Sequence, residues 1–73
     1  MSLSYAENES NGDIYERSID FNNGEQMIIH DEDGLIVSLW HDETTSLINI
    51  TQNDRNAFIE YLKKCVEMLE RKK

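Results

Sequence analysis

The chain of 73 residues has no proline and a single cysteine. Cys65 cannot form a disulfide within one chain, and a lone cysteine is typical of proteins that stay in the reducing cytoplasm. The longest apolar runs contain only three residues, such as Leu35 to Val37, whereas a membrane-spanning helix needs about 18. We therefore expect no membrane helix. The first residues also lack the basic and apolar pattern of a secretion signal.

Basic residues are scarce. Seven Lys and Arg residues stand against fifteen Asp and Glu residues, which gives a net charge of −8. Arg17 and Arg55 are the first two basic residues, so the first fifty residues are strongly acidic. The other five are Lys63, Lys64, Arg71, Lys72 and Lys73. Because phosphate contacts dominate nucleic-acid affinity, this charge disfavours a nucleic acid as partner and favours a basic protein.

Residue patterns for catalysis are missing as well. The three glycines, at positions 12, 24 and 34, show no G-x-G spacing that could hold a phosphate. Cys65 is the only thiol, its helical position predicts a buried and inert side chain, and neither histidine can be placed beside it. A chain of this length also leaves little room for a substrate pocket. The sequence therefore predicts that the protein is not an enzyme and carries no cofactor.

Two groups of residues resemble metal sites in composition. In Asp31-Glu32-Asp33-Gly34 the glycine could take the sixth position of an EF-hand loop, but Ile29 and Trp40 would then occupy the first and last ligand positions. Neither side chain can bind a hard cation, so an acidic hairpin turn is the better interpretation. The spacing of His30 and His41 matches no zinc pattern. We therefore predict no metal site.

The residues after position 12 are predicted to form one small domain, residues 13–73. Alternating apolar side chains and turn residues predict four strands. These strands cover residues 13–21, 26–30, 35–40 and 47–50. Asn23-Gly24 predicts a type I′ turn between the first two strands, and His41 to Thr45 reads as a polar connection. Residues 1–12 are predicted to be a flexible acidic tail, with Met1-Ser2-Leu3 interpreted as a vector-derived start.

Thr51 to Lys73 is predicted to be one helix. Thr51 followed by Asp54 resembles a capping box, with the Thr oxygen available to a first-turn amide. At about 100° per residue the apolar side chains fill an arc of roughly 180°, whereas about 100° suffices for a one-sided surface helix. They are Phe58, Ile59, Tyr61, Leu62, Cys65, Val66, Met68 and Leu69. The predicted fold class is α+β: an antiparallel four-stranded meander sheet, β-β-β-β-α, with the C-terminal helix packed on one face.

The excess arc predicts a protein interface, and a second copy of the chain is the simplest occupant. The middle of the arc is predicted to pack on the chain's own sheet; it consists of Phe58, Leu62, Cys65 and Leu69. Either margin, Ile59 with Val66 or Tyr61 with Met68, could then face the partner. Trp40 ends a strand and is either a core residue or the anchor of a contact surface. The candidate interface residues are Trp40, Ile59, Tyr61, Val66 and Met68.

Part of the chain resembles a known family. The strand end Val37-Ser38-Leu39-Trp40, the polar loop, the strand Ile48-Asn49-Ile50 and the helix with Phe58 and Leu62 are similar to the C-terminal part of PC4-like single-stranded-DNA-binding proteins. The resemblance covers about half the chain and implies a dimeric β-β-β-β-α architecture. The basic sheet face that such proteins use is absent, since the first three predicted strands carry only Arg17.

The sequence therefore predicts a small, acidic, cytoplasmic protein-binding domain, of adaptor or inhibitor type, that forms a homodimer and meets a basic protein partner. The alternative prediction is a PC4-like single-stranded nucleic-acid-binding protein that uses the helix lysines and the sheet aromatics. Salt-sensitive binding of single-stranded DNA would distinguish the alternative from the first prediction.

Overall fold

The computed structural model describes residues 4–73. Five strands come first: β1 (Ser4–Ser10), β2 (Asp13–Asp20), β3 (Gln26–Asp31), β4 (Leu35–His41) and β5 (Thr44–Ile50). A 3₁₀ turn, Gln52–Asp54, then leads into the helix α1, Arg55–Arg71. The predicted α+β class, an antiparallel sheet followed by a C-terminal helix, is confirmed. The predicted vector-derived start, residues 1–3, lies outside the described residues.

The predicted number of strands is wrong, because the sheet has five strands in the order β1-β2-β3-β4-β5. The additional strand is β1, which lies in the segment predicted to be a flexible tail. All of its residues are exposed, so β1 has no buried side chain that would give an apolar alternation. Its pairing with β2, from Ser4 opposite Asp20 to Ser10 opposite Asp13, holds it in the sheet through backbone hydrogen bonds.

Two hairpins close with two-residue turns in which both residues have positive φ, as a type I′ turn requires. Asn11 (φ 54°) and Gly12 (φ 87°) join β1 to β2. Asp42 (φ 52°) and Glu43 (φ 63°) join β4 to β5, where the sequence predicted a longer polar connection. Asn11-Gly12 thus forms the type I′ hairpin that an Asn-Gly pair favours, although the sequence prediction placed this pair in a flexible tail.

The turn between β2 and β3 differs from the predicted type I′ turn. Gly24 has a φ of +88°, but neither asparagine before it has a positive φ. The Gly24 amide donates a hydrogen bond to the Phe21 carbonyl at 3.1 Å, and the Phe21 amide donates one to the Glu25 carbonyl at 2.8 Å. This is a three-residue loop in which a left-handed glycine follows the turn, a common hairpin connection. Asn23 accepts a 3.0 Å hydrogen bond from the Glu25 amide.

The pairing registers divide the sheet into an apolar and a polar face. Residues directly opposite one another across neighbouring strands point to the same side. We define the apolar face by nine such residues: Tyr5, Ile19, Met27, Ile29, Leu35, Val37, Leu39, Ile48 and Ile50. Asp31, opposite Leu35, points to the same side. The polar face carries Ser, Asn, Glu, Gln and Thr residues, interrupted by Ile28, Ile36 and Leu47. It also carries Trp40, which lies opposite Gln26 and Thr45.

The helix begins later than predicted, and the capping box is not formed. No side chain caps the helix: its N-cap is Asp54, and Thr51, which precedes the 3₁₀ turn, donates its hydroxyl at 3.4 Å to the Asp54 carboxylate instead of accepting an amide. The helix begins at the end of the sheet where Asp31 lies. Arg55 donates two hydrogen bonds to the Asp31 carboxylate, one of them at 3.1 Å. This ion pair fixes the first helical turn beside the apolar face.

The helix makes few contacts with the strands and leaves much of the apolar face exposed. Of the four residues predicted to pack on the sheet, Phe58 and Cys65 are half-buried, whereas Leu62 and Leu69 are exposed. Leu35, 8% exposed, is the one buried side chain among residues 4–73. The chain exposes 6200 Å², compared with about 4700 Å² for a folded monomer of this mass. Its radius of gyration is 13.6 Å, compared with about 11 Å for a compact domain of this length.

Replacing Gly24 by valine should lower the free energy of unfolding by about 1 kcal/mol or more, because a β-branched residue is strained at positive φ. A Cβ at this position would contact nothing within 4 Å, so the loss would come from the backbone alone. Gly24→Asn is the matched control, since asparagine tolerates this conformation. Urea unfolding of the three proteins measures the effect. Equal midpoints for the valine and asparagine variants would contradict the assigned turn geometry.

Candidate functional site

One open groove lies at the end of the sheet opposite Asp31. It has a volume of about 440 Å³, and we call it the Trp40 groove. Its lining comes from the β2–β3 loop and the β4–β5 turn: Asn23, Gly24, Glu25, Trp40, His41, Asp42 and Glu43. In a meander these two connections lie at the same end of the sheet, which brings the two segments together. The groove therefore combines an indole ring with three carboxylates.

The strand register positions the polar side chains of the Trp40 groove. Glu25 follows the left-handed Gly24, and its carboxylate pairs with Nδ1 of His41. The other ring nitrogen of His41 lies 3.8 Å from the Asp42 carboxylate. Trp40 is 39% exposed, so the structure leaves part of its ring open to a ligand. An exposed ring beside carboxylates can hold a lysine or arginine side chain by cation–π and ionic contacts.

The predicted interface residues fall on two separate surfaces. Trp40 lies on the polar face, whereas the other four, Ile59, Tyr61, Val66 and Met68, lie on α1. All five are exposed, and the helix begins on the opposite side of the sheet from Trp40. One patch therefore cannot contain all of them. A side-chain hydrogen bond with Cys65, one turn further along, raises the pKa of Tyr61.

The sequence did not reveal one uncovered apolar surface on the sheet. Tyr5, Ile19, Met27 and Leu39 lie directly opposite one another across β1 to β4, and we call them the open row. Tyr5 is 73% exposed, and Met27 and Leu39 are also exposed. A depression of about 220 Å³ lies against Tyr5, Ile19 and Met27. The apolar side chains of each strand were predictable from the sequence. Which of them stay exposed depends on where the helix lies.

The ion pair between Arg55 and Asp31 connects helix and sheet, and it is the one hydrogen-bonded ion pair between them within residues 4–73. The hydrogen bonds from Arg55 hold the pKa of Asp31 below its usual value of 3.8. The same contact raises the pKa of Arg55. Both groups remain charged at neutral pH, so the attachment of the helix depends on a charge pair.

His30 forms a second polar cluster on the polar face. Its Nδ1 lies 2.8 Å from the Glu16 carboxylate, and Asn8 donates a 2.6 Å hydrogen bond to the same carboxylate. The hydrogen bond from His30 lowers the pKa of Glu16. The Tyr15 ring meets the His30 ring edge to face, with centroids 5.5 Å apart. In the described part of the chain, no group of three or more His, Cys, Asp or Glu residues could hold a metal ion.

No helix within residues 4–73 has the length and apolar character that crossing a membrane would require. The chain matches no family model, and no curated protein or solved structure was found to match it.

Replacing Asp31 by asparagine should lower the unfolding midpoint near neutral pH. Because the pKa of Asp31 is lowered on folding from 3.8, its stabilisation is fully present above this value and is lost as the pH falls below it. The difference between parent and variant should therefore shrink as the pH falls below 3.8 and vanish once Asp31 is protonated in the folded protein. Thermal unfolding followed across this range measures it.

Asp33→Asn is the matched control for this experiment. Asp33 lies two residues further along in an exposed turn, and within residues 4–73 it forms no ion pair. The Asp33→Asn substitution removes one negative charge, as Asp31→Asn does, but leaves the partner of Arg55 in place. If Asp31→Asn and Asp33→Asn shift the midpoint equally at neutral pH, the ion pair does not hold the helix.

Proposed function

We propose that this chain acts by binding another protein, as a homodimer whose acidic sheet meets a basic partner. The observation that supports this proposal best is the area that one chain leaves uncovered. A chain of this mass normally exposes about 4700 Å², and this one exposes 6200 Å². Part of this surface is apolar, since Tyr5, Met27 and Leu39 are exposed, and exposed apolar patches are typical of interaction sites. With the lone cysteine, we also propose a cytoplasmic location.

The excess area is of the size that a stable interface needs. It amounts to about 1500 Å² per chain, whereas a standard protein interface buries about 800 Å² per partner and obligate dimers bury more. Of the two candidate surfaces, the apolar one on the sheet and helix fits a permanent homodimer. Obligate dimer interfaces resemble a divided core, as these apolar residues do.

The second surface, around the Trp40 groove, fits a basic partner. Glu25, Asp42 and Glu43 supply three carboxylates beside an exposed indole. Trp is strongly enriched among the residues that dominate binding energy. A net charge of −8 would also speed encounter with a basic protein and slow encounter with a nucleic acid.

The alternative, single-stranded nucleic-acid binding, has less support from the charges. Five of the seven basic residues lie in ion pairs with acidic neighbours: Arg17, Arg55, Lys63, Arg71 and Lys73. A paired cation attracts phosphate less strongly than a free one, since its carboxylate repels the phosphate.

Sedimentation equilibrium at micromolar concentration should give twice the 8.6 kDa of one chain. The thermal midpoint should rise with protein concentration, because association stabilises only by mass action. A mass of one chain at concentrations well above this range would remove the homodimer from the proposal. It would leave the basic partner to be tested separately.

Fluorescence of the single tryptophan, Trp40, can report binding at its groove. An arginine-rich peptide should change the emission at micromolar concentration and lose affinity as salt is raised, because the contacts are largely ionic. A single-stranded oligonucleotide should leave the emission unchanged at the same concentration. Salt-sensitive binding of the oligonucleotide, without binding of the peptide, would favour the nucleic-acid alternative.

A pair of charge-matched variants tests whether the groove itself binds. Asp42→Asn with Glu43→Gln removes two carboxylates from the groove and should weaken peptide binding about tenfold. The control, Glu32→Gln with Asp33→Asn, removes two carboxylates from the turn at the other end of the sheet and gives the same net charge. Equal loss of affinity in both variants would show that net charge alone attracts the peptide.

A further inference from the structure

We infer that two copies of the chain dock reciprocally, with the helix of each protomer lying on the open row of its partner's sheet. This inference rests on the homodimer proposed above and assigns the surfaces that form it. Each helix would then lie between two sheets, joined to its own sheet by the Arg55–Asp31 ion pair. The exposed apolar side chains of the same helix would contact the partner's sheet.

One helix cannot cover this sheet alone. A helix with its side chains is about 10 Å wide, whereas the outer strands of a five-stranded sheet lie about 19 Å apart. The helix is attached at the Asp31 end, and the open row lies towards the other end, beside Trp40. The uncovered part of the apolar face therefore needs another occupant.

The helix carries a surface that matches the open row. Four exposed residues, Ile59, Leu62, Val66 and Leu69, recur at intervals of three and four, so they occupy an arc of about 80° on one side of the helix. This exposed arc lies directly beside the half-buried Phe58 and Cys65. Val66 is 57% exposed and Leu69 is 63% exposed, although both are fully apolar. Two uncovered apolar surfaces of one chain can cover each other only if a second copy is present.

Charge favours helix on sheet over the other two pairings. Residues 55–73 contain six basic and three acidic residues, a net charge of +3. Residues 1–54 contain one basic and twelve acidic residues, a net charge of −11. A helix-to-helix dimer would bring two positive segments together, and a sheet-to-sheet dimer would bring two strongly negative segments together. A reciprocal dimer has two contacts, and each of them joins a positive helix to a negative sheet. This arrangement lowers the electrostatic energy.

A charge-exchange experiment tests the arrangement. Val66→Glu places a charge in the exposed arc of the helix, and Met27→Lys places the opposite charge in the middle of the open row. In a reciprocal dimer of either variant alone, both contacts contain a buried unpaired charge, and we expect the dimer dissociation constant to rise at least about 100-fold. In the mixed dimer, one contact joins Glu to Lys and the other is unchanged. Mixing should therefore restore dimerisation.

The controls use the opposite side of the helix and a second pair of sites. Met68→Glu lies on the other margin of the helix and should leave the dimer intact. Leu69→Glu with Leu39→Lys repeats the exchange at neighbouring positions, in case Met27→Lys alone prevents folding. Far-ultraviolet circular dichroism shows that each variant is folded, and sedimentation velocity measures association before and after mixing.

The outcomes separate this inference from the proposed function. Two folded monomeric variants that associate when mixed support reciprocal docking. If the parent is dimeric but Val66→Glu and Met27→Lys remain dimeric, or if mixing restores nothing, reciprocal docking is wrong while the homodimer stands. If Val66→Glu unfolds at every concentration and mixing does not rescue it, the helix packs on its own sheet and the inference is overturned. A parent that never dimerises removes the proposed homodimer itself.

Discussion

One helix is too narrow to cover a five-stranded sheet, and this difference in width determines which apolar residues of the protein stay exposed. A helix of 17 residues can cover about two strands of a sheet, because helix width and strand spacing are fixed by the backbone. The apolar face extends over all five strands, so burial inside one chain stops early and only Leu35 is buried among residues 4–73. Apolar burial is the main favourable contribution to folding. A second chain that buries the remainder would therefore supply stability as well as specificity.

The separation of charge along the chain has a related effect. Nearly all acidic residues lie in the strands and turns, and nearly all basic ones in the helix. Arg55 and Asp31 join the two parts at a half-buried contact, where the charges are less screened than on the open surface. Elsewhere the sheet keeps its negative charge. The two sides of the sheet thus present different chemistry, mainly apolar on the side of Leu35 and Asp31 and more polar on the side of Trp40.

The fold class was predictable because it depends on local patterns. The helix was evident from its apolar period, and strands β2 to β4 from alternation and turn residues. β1 was missed because an edge strand with exposed polar residues carries no alternation; the signal available was Asn11-Gly12. The capping box failed because Thr51 bonds to Asp54 rather than to an amide. Sequence spacing could not reveal features that depend on distant contacts. Two such features are which apolar residues stay exposed and the position of Trp40 on the face opposite the helix.

The two edges of the sheet differ in how they resist growth by further strands. β1 presents Glu7 and Glu9 along its edge, and charges on an edge strand repel an incoming chain. β5, Thr44–Ile50, has the sequence TTSLINI and no charged side chain at all. Short, uncharged segments with β-branched residues are the ones that stack into cross-β fibrils. Fibril growth from a destabilised chain would therefore begin at β5, and a lysine substituted for an exposed residue of that strand would be the natural protection.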